Sequence, residues 1–300
     1  MDRRQFLTAC AATAGGIALM KPLKAFAAPP AGKPFSKAKL KMSAPISFFP
    51  GETPEEKLDV VAAWGLPAYE WLGPSGDFAS LRKKADSLGL VLSCTSGAGS
   101  IKPGKDKAPQ MVLPSDRDRL VEQFKQNVQM AHALNCKRLI GLAGDTREDA
   151  SFEEQTQSVI DNAKRLAPIA EQENVILVLE MLNPLVDHKG YFLTRTDHGV
   201  QIVKAVGSPN VKLLFDIYHQ QITEGNVIRN LTENIDYIGH FHVADNPGRK
   251  EPGTGEMNYT NIFAAIAKTN YDGFVALECG HSTKNYEDTL NATLKCLGLA

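Results

Sequence analysis

The chain has 300 residues, with 33 Lys plus Arg against 34 Asp plus Glu and 43% apolar residues, the balance of a folded globular protein. Its 24 Gly and 17 Pro are too few and too scattered for a collagen-like or low-complexity chain, so a packed core is expected. A formal charge of −1 with no long basic run excludes the electrostatic footprint of a nucleic-acid binder and leaves a small polar ligand as the partner to look for.

Residues 1–27 read as an export signal. The adjacent Arg3 and Arg4, with Phe6 and Leu7 behind them, lead into an apolar small-residue run from Thr8 to Met20 and then Ala25-Phe26-Ala27, an A-x-A cleavage pattern. A run of 13 residues is too short to cross ~30 Å of hydrocarbon at 1.5 Å per residue, so no stable membrane anchor is expected. The paired arginines, Lys21 and Lys24 after the run, and its weak hydrophobicity resemble a twin-arginine signal. That resemblance implies passage of an already folded protein through the twin-arginine export machinery into the periplasm. Losing residues 1–27 would take the formal charge from −1 to −4. Of the five cysteines, Cys10 leaves with the signal; Cys94, Cys136, Cys279 and Cys296 show neither C-x-x-C spacing nor a disulfide-dense pattern, so buried free thiols are expected.

After a Pro/Gly/Lys-rich linker, residues 28–37, short apolar runs alternate with longer amphipathic segments through residues 38–300. The predicted strands are Leu40–Ala44, Ala68–Leu72, Val91–Thr95, Arg138–Leu142, Val175–Glu180, Val211–Asp216, Tyr237–His242 and Phe274–Glu278. Helices are predicted at Pro54–Trp64, Phe78–Leu88, Asp116–Leu134, Phe152–Glu173, Thr196–Val206, Asn226–Asn230, Tyr259–Thr269 and Thr283–Leu297. Eight such βα units predict a single-domain (β/α)8 TIM barrel of the α/β class. A doubly wound sheet would carry a glycine-rich phosphate turn after its first strand, where the sequence instead reads PISFFPGETPEEK. The longest connection, Ser96–Ser115, reads as a mobile loop over the site or a tolerated surface insertion.

Active sites of such barrels lie at the C-terminal strand ends. The last four strands end in Glu180, Asp216, His242 and Glu278, which would converge on one rim. Three carboxylates held together raise one another's pKa, and a divalent cation relieves that cost. Oxygen ligands with one imidazole suit Mn²⁺, Mg²⁺ or Co²⁺ and admit Zn²⁺. His240 shares a face with His242 one layer deeper, which reads as support instead of ligation.

Three segments resemble the xylose isomerase-like barrels, and within them the hydroxypyruvate isomerase group: LEMLNPLVDHKGYFLT from Leu179 to Thr194, FDIYHQQI from Phe215 to Ile222, and GHFHVADNPGRKEPGTGEMNY from Gly239 to Tyr259. The resemblance implies Glu180, Asp216, His242 and Glu278 as metal ligands, with His219 and Arg249 orienting the substrate's oxygens. The structural alternatives are that Arg249 pairs with Glu251 or Glu256 and that His219 only buttresses Asp216.

A metal spanning the carbonyl and hydroxyl of an α-hydroxycarbonyl would stabilise an enediolate, with Glu180 and Glu278 as the acid/base pair. Isomerisation or epimerisation of an unphosphorylated sugar, keto-sugar or small hydroxycarbonyl is therefore the leading reading. A lyase or hydratase acting on keto-sugars or glycosides and a catalytically inactive sugar-binding barrel are the alternatives. A DNA-repair endonuclease on the same barrel would need a His-rich three-metal cluster, and the chain has only seven His. Two departures from the hydroxypyruvate isomerase group stand out: Met181 replaces a typical Pro, and Leu185 replaces a frequent Arg or Lys. The third ligand, His242, matches the keto-sugar epimerases instead of the Gln of that group. A homo-oligomer is compatible with this composition.

Overall fold

The computed structural model describes residues 32–101 and 108–299, so the expected export signal lies outside the described residues. The strands are β1 (Lys41–Ser43), β2 (Ala68–Tyr69), β3 (Val91–Leu92), β4 (Thr95–Gly99), β5 (Arg138–Leu142), β6 (Ile176–Glu180), β7 (Val211–Asp216), β8 (Ile238–Val243) and β9 (Phe274–Leu277). The main helices are α1 (Pro54–Trp64), α2 (Phe78–Leu88), α3 (Arg117–Ala133), α4 (Phe152–Gln172), α5 (Thr196–Val206), α6 (Ile217–Thr223), α7 (Val227–Glu233), α8 (Tyr259–Ile266) and α9 (Tyr286–Cys296).

The strands form because short Val/Leu/Ile-rich runs can be buried on both faces of a parallel sheet. All six residues of β8 are buried, and so are five of the six in β7. Helix starts are written in side chains: Thr53 with Glu56 and Ser151 with Glu154 form reciprocal capping boxes. Both α1 and α2 stop at a left-handed glycine, Gly65 and Gly89, where a side chain would be strained.

Seven strands pair in parallel in the order β1-β9-β8-β7-β6-β5-β4, and β2 pairs with β3. The Glu70 backbone joins the two sheets: its N–H donates to Ala44 O at 2.9 Å, and its carbonyl accepts from Ile46 N at 2.8 Å. Because β3 and β4 follow one another across two residues and together fill the place of the third predicted strand, the ring closes with eight strands, the expected (β/α)8 barrel. A small inner cluster of Cys94, Ile140, Val178 and Leu214 plugs the barrel, and a larger apolar layer lies between strands and helices. Each fully buried Leu or Ile there contributes about 1.5–3 kcal/mol.

Two expectations are corrected. The segment after β7 is not a loop leading to a helix at 226–230; α6 begins at once and α7 follows, because Asp216 caps α6 directly. The connection expected over residues 96–115 starts later than the sequence implied, and part of it packs into the core. Ser96–Gly99 belong to β4, Gln110, Met111 and Val112 are buried, and Ser158 and Asn162 side chains donate to Met111 O at 3.0 and 2.7 Å. Residues 102–107 of that segment lie outside the described residues. Among the described residues, no helix is long and apolar enough to cross a membrane.

Candidate active site

Strand register brings the four rim residues together. In the sheet Asp216 lies opposite His242, His242 opposite Ala276, and Glu180 opposite Leu214, while Glu278 directly follows β9. One ligand atom from each of Glu180, Asp216, His242 and Glu278 lies within 4.8 Å of the others. His242 Nδ1 is 3.1 Å from Glu278 Oε2 and 3.5 Å from Glu180 Oε1. Asp216 divides its carboxylate: Oδ1 accepts from the Tyr218 and His219 amides at 2.8 and 3.2 Å, and Oδ2 lies 3.5 Å from His219 Nε2.

The electrostatics are those of a crowded acidic ring. Burial, and then the charges of Glu278 and Asp216, raise the Glu180 carboxyl above its usual range despite His242. Burial also pushes Glu278 up, but His242 and Arg249 outweigh it and hold that carboxyl low. Burial alone would lower His242; Glu70, Glu278 and Glu180 reverse this and raise it well above an ordinary histidine. His242 Nδ1 is buried without a hydrogen-bond partner, and with three carboxylates around it the donor set fits a divalent ion.

Glu70, to which the sequence assigned no role, stands behind His242. Its Oε1 is 2.9 Å from His242 Nε2, its Oε2 is 2.9 Å from His240 Nε2, and Ser93 Oγ donates to Oε2 at 3.1 Å. Burial would raise its carboxyl, but the two histidines outweigh that and hold it at about 2. Burial keeps His240 down at about 4, in line with a supporting role. Glu70, Cys94 and His240 also form a cluster of metal-ligand types, yet both Glu70 oxygens already face imidazole nitrogens. The missed signal was an acidic residue ending β2, the same feature that marked the other strands.

The ring opens into a cavity of about 310 Å³ lined by Glu180, Glu278, His219, Arg249 and His188, with Leu72, Ile140, Leu142 and Leu182 among its apolar walls. Arg249 Nη2 lies 2.6 Å from Glu278 Oε2 and 3.7 Å from Asp216 Oδ2, and its guanidinium sits over the Tyr218 ring at 5.4 Å. Its backbone is left-handed at φ 52°, a strained conformation held by Gly280 N donating to Arg249 O at 2.7 Å. Glu251 instead binds the Ser282 amide and hydroxyl, and Glu256 accepts from Asn246 Nδ2. His219 is fully buried, with Nδ1 2.6 Å from Asn183 Nδ2. Asn183, Asp187 and His188 were also unassigned from sequence; Leu185, beside them, is exposed.

A closed parallel barrel with convergent carboxylates on its C-terminal rim defines an α/β barrel whose polar cluster lies where such barrels carry their active sites. Residues 58–297 match the xylose isomerase-like TIM barrel family, and the chain belongs to it. Over 166 residues it is 36% identical to hydroxypyruvate isomerase of Escherichia coli K12, covering 55% of this chain and 64% of that enzyme. Over 227 residues it is 32% identical to 2-oxo-tetronate isomerase of Cupriavidus necator, covering 74% of this chain and 85% of that one. The solved structure of 3-keto-D-glucoside 4-epimerase from E. coli matches with a TM-score of 0.72 at 21% identity, covering 87% of this chain and 100% of that one. That last likeness shows the fold alone.

Proposed function

We propose that this chain is a divalent-metal-dependent isomerase or epimerase of an unphosphorylated sugar, keto-sugar or small hydroxycarbonyl, exported to the periplasm by the twin-arginine machinery. The observation that carries the reading is the convergence of Glu180, Asp216, His242 and Glu278 within 4.8 Å beside a cavity that Glu180, Glu278, His219 and Arg249 line. The two relatives named isomerases support the reaction class.

The four rim residues would hold the ion, with Mn²⁺, Mg²⁺ or Co²⁺ best suited to the donors and Zn²⁺ admitted. When bound, it supplies Lewis-acid stabilisation of the charge that develops on the substrate's oxygens. Glu180 and Glu278 come from different strands, so they approach the substrate from different sides. One carboxylate takes the proton from the carbon beside the carbonyl, and the other returns a proton to the neighbouring carbon or to the opposite face of the same carbon. Arg249 and His219 hold the substrate's oxygens, and the apolar walls limit water around the reacting carbons.

The test is proton exchange. Incubated with Mn²⁺ and a panel of free ketoses, aldoses and keto-sugars in D₂O, the protein is expected to deuterate the carbon next to the carbonyl and to yield a new isomer, both lost on chelation. Product NMR after quenching reads the outcome. No exchange with any substrate despite bound metal would overturn the enzymatic reading. For export, Arg3→Lys with Arg4→Lys is expected to retain the protein in the cytoplasm on cell fractionation; periplasmic recovery would overturn the twin-arginine route.

A further inference from the structure

Behind His219 lies an amide whose orientation its neighbours decide. Asn183 is fully buried in the loop after β6. Its Oδ1 accepts from the backbone amides of Val186 and Asp187 at 2.9 and 3.2 Å, groups that can only donate. Its Nδ2 donates to Asp187 Oδ2 at 2.8 Å. Partial burial would raise the Asp187 carboxyl, but hydrogen bonds from Asn183 and Tyr218, with His219 and Arg249 nearby, hold it below the usual range as an acceptor. A flipped amide would set its oxygen against that carboxylate and its NH₂ against two backbone N–H groups. The unflipped amide aims its second N–H at His219 Nδ1, 2.6 Å away.

We infer that Asn183, braced by Asp187, fixes His219 as the Nε2–H tautomer, making His219 a hydrogen-bond donor to the substrate and never its base. Nδ1 faces an N–H and must offer its lone pair; a proton there would set two donors face to face at 2.6 Å. The ring's hydrogen is then on Nε2, which is buried, makes no hydrogen bond, faces the Asp216 Oδ2 carboxylate oxygen at 3.5 Å and belongs to a residue lining the cavity. The rings of His188 and Tyr218 meet His219 edge-on at 5.1 and 5.3 Å and restrain it from turning. Asn183 is a positioning residue. The catalytic consequence rests on the proposed isomerase or epimerase reading: a donor at Nε2 holds an oxygen beside the reacting carbon, and proton transfer is left to Glu180 and Glu278.

The experiment is two-bond ¹H–¹⁵N correlation NMR of the full chain labelled at histidine, with and without Mg²⁺, His219 being assigned by its loss in His219→Gln. Wild type is expected to show a protonated Nε2 and a bare Nδ1. Asn183→Asp presents an acceptor, so the hydrogen moves to Nδ1 and kcat falls about 10²-fold while KM stays within about threefold. Asn183→Ala gives a mixture of tautomers and an intermediate loss. A wild-type His219 protonated at Nδ1, or an Asn183→Asp variant still protonated at Nε2 alone, would overturn the inference. Should Asn183→Asp not fold, the wild-type spectrum and Asn183→Ala decide. An Nε2–H spectrum in a wild-type protein that turns over no substrate would support the tautomer lock and count against the reaction, so the two failures are separable.

Discussion

The two halves of the barrel rim do different work. Strands β6 to β9 place Glu180, Asp216, His242 and Glu278 around one point, and the loop after β8 is pinned by Asp245, which accepts from the Gly253 and Met257 amides. On the opposite side β2 and β3 are two residues long, and β4 reads Thr95-Ser96-Gly97-Ala98-Gly99. Small side chains there give the cavity its volume, and Ser96 to Gly99 all line it. From behind, the same half lends Glu70 to hold His242. In the proposed reaction one half carries the reacting groups, and the other makes room for the substrate and orients His242 from behind.

Substitutions can break that division. The largest expected effect is on the reactive half: Glu180→Gln or Glu278→Gln should lower kcat by about 10³-fold or more with the circular dichroism spectrum unchanged. A variant retaining most of its turnover would remove the two-carboxylate mechanism. Next comes the orienting carboxylate. Glu70→Gln should weaken Mn²⁺ binding about 10- to 100-fold by titration calorimetry, and equal affinity would mean that His242 needs no partner at Nε2.

The spacious half should show its constraint as stability. Gly99 has φ +84°, and a Cβ there would run into Leu142 O, so Gly99→Ala is expected to cost about 1–3 kcal/mol in urea unfolding. The smallest effect contrasts a structural histidine with those of the site. Burial holds His198 below the usual histidine value, and its Nε2 lies 2.9 Å from Thr156 Oγ1. Below pH ~6.5 the unfolded chain binds a proton there that the folded one resists, so stability declines on acidification. His198→Gln should flatten that part of the pH–stability curve, and an unchanged slope would locate the acid sensitivity elsewhere.

The reactive half was legible in the sequence because its message is local. An acidic or imidazole residue closing a run such as VILVLE or KLLFD marks both the strand and the direction of its last side chain. The eight strands followed from the same periodicity. Glu70 escaped because the predicted strand ran on to Leu72 and placed the acidic residue in its middle instead of at its end, and because its partners His240 and His242 lie about 170 residues away in the chain. Asn183 escaped for a similar reason: only the fold sets it between Asp187 and His219. Helix α6 was missed because a strand-end aspartate that is also a helix cap leaves no turn residues to announce the change.

That shared aspartate has a consequence for how freely the position can vary. With Oδ1 closing the first turn of α6 and Oδ2 turned to the ring, Asp216 links the order of a helix to the occupancy of a site. Amide hydrogens of Tyr218 and His219 should therefore exchange more slowly once the ring is filled. Asn at this position would keep the cap and surrender the charge, whereas Glu would keep the charge and lose the reach of the cap, so neither property can be tuned without touching the other.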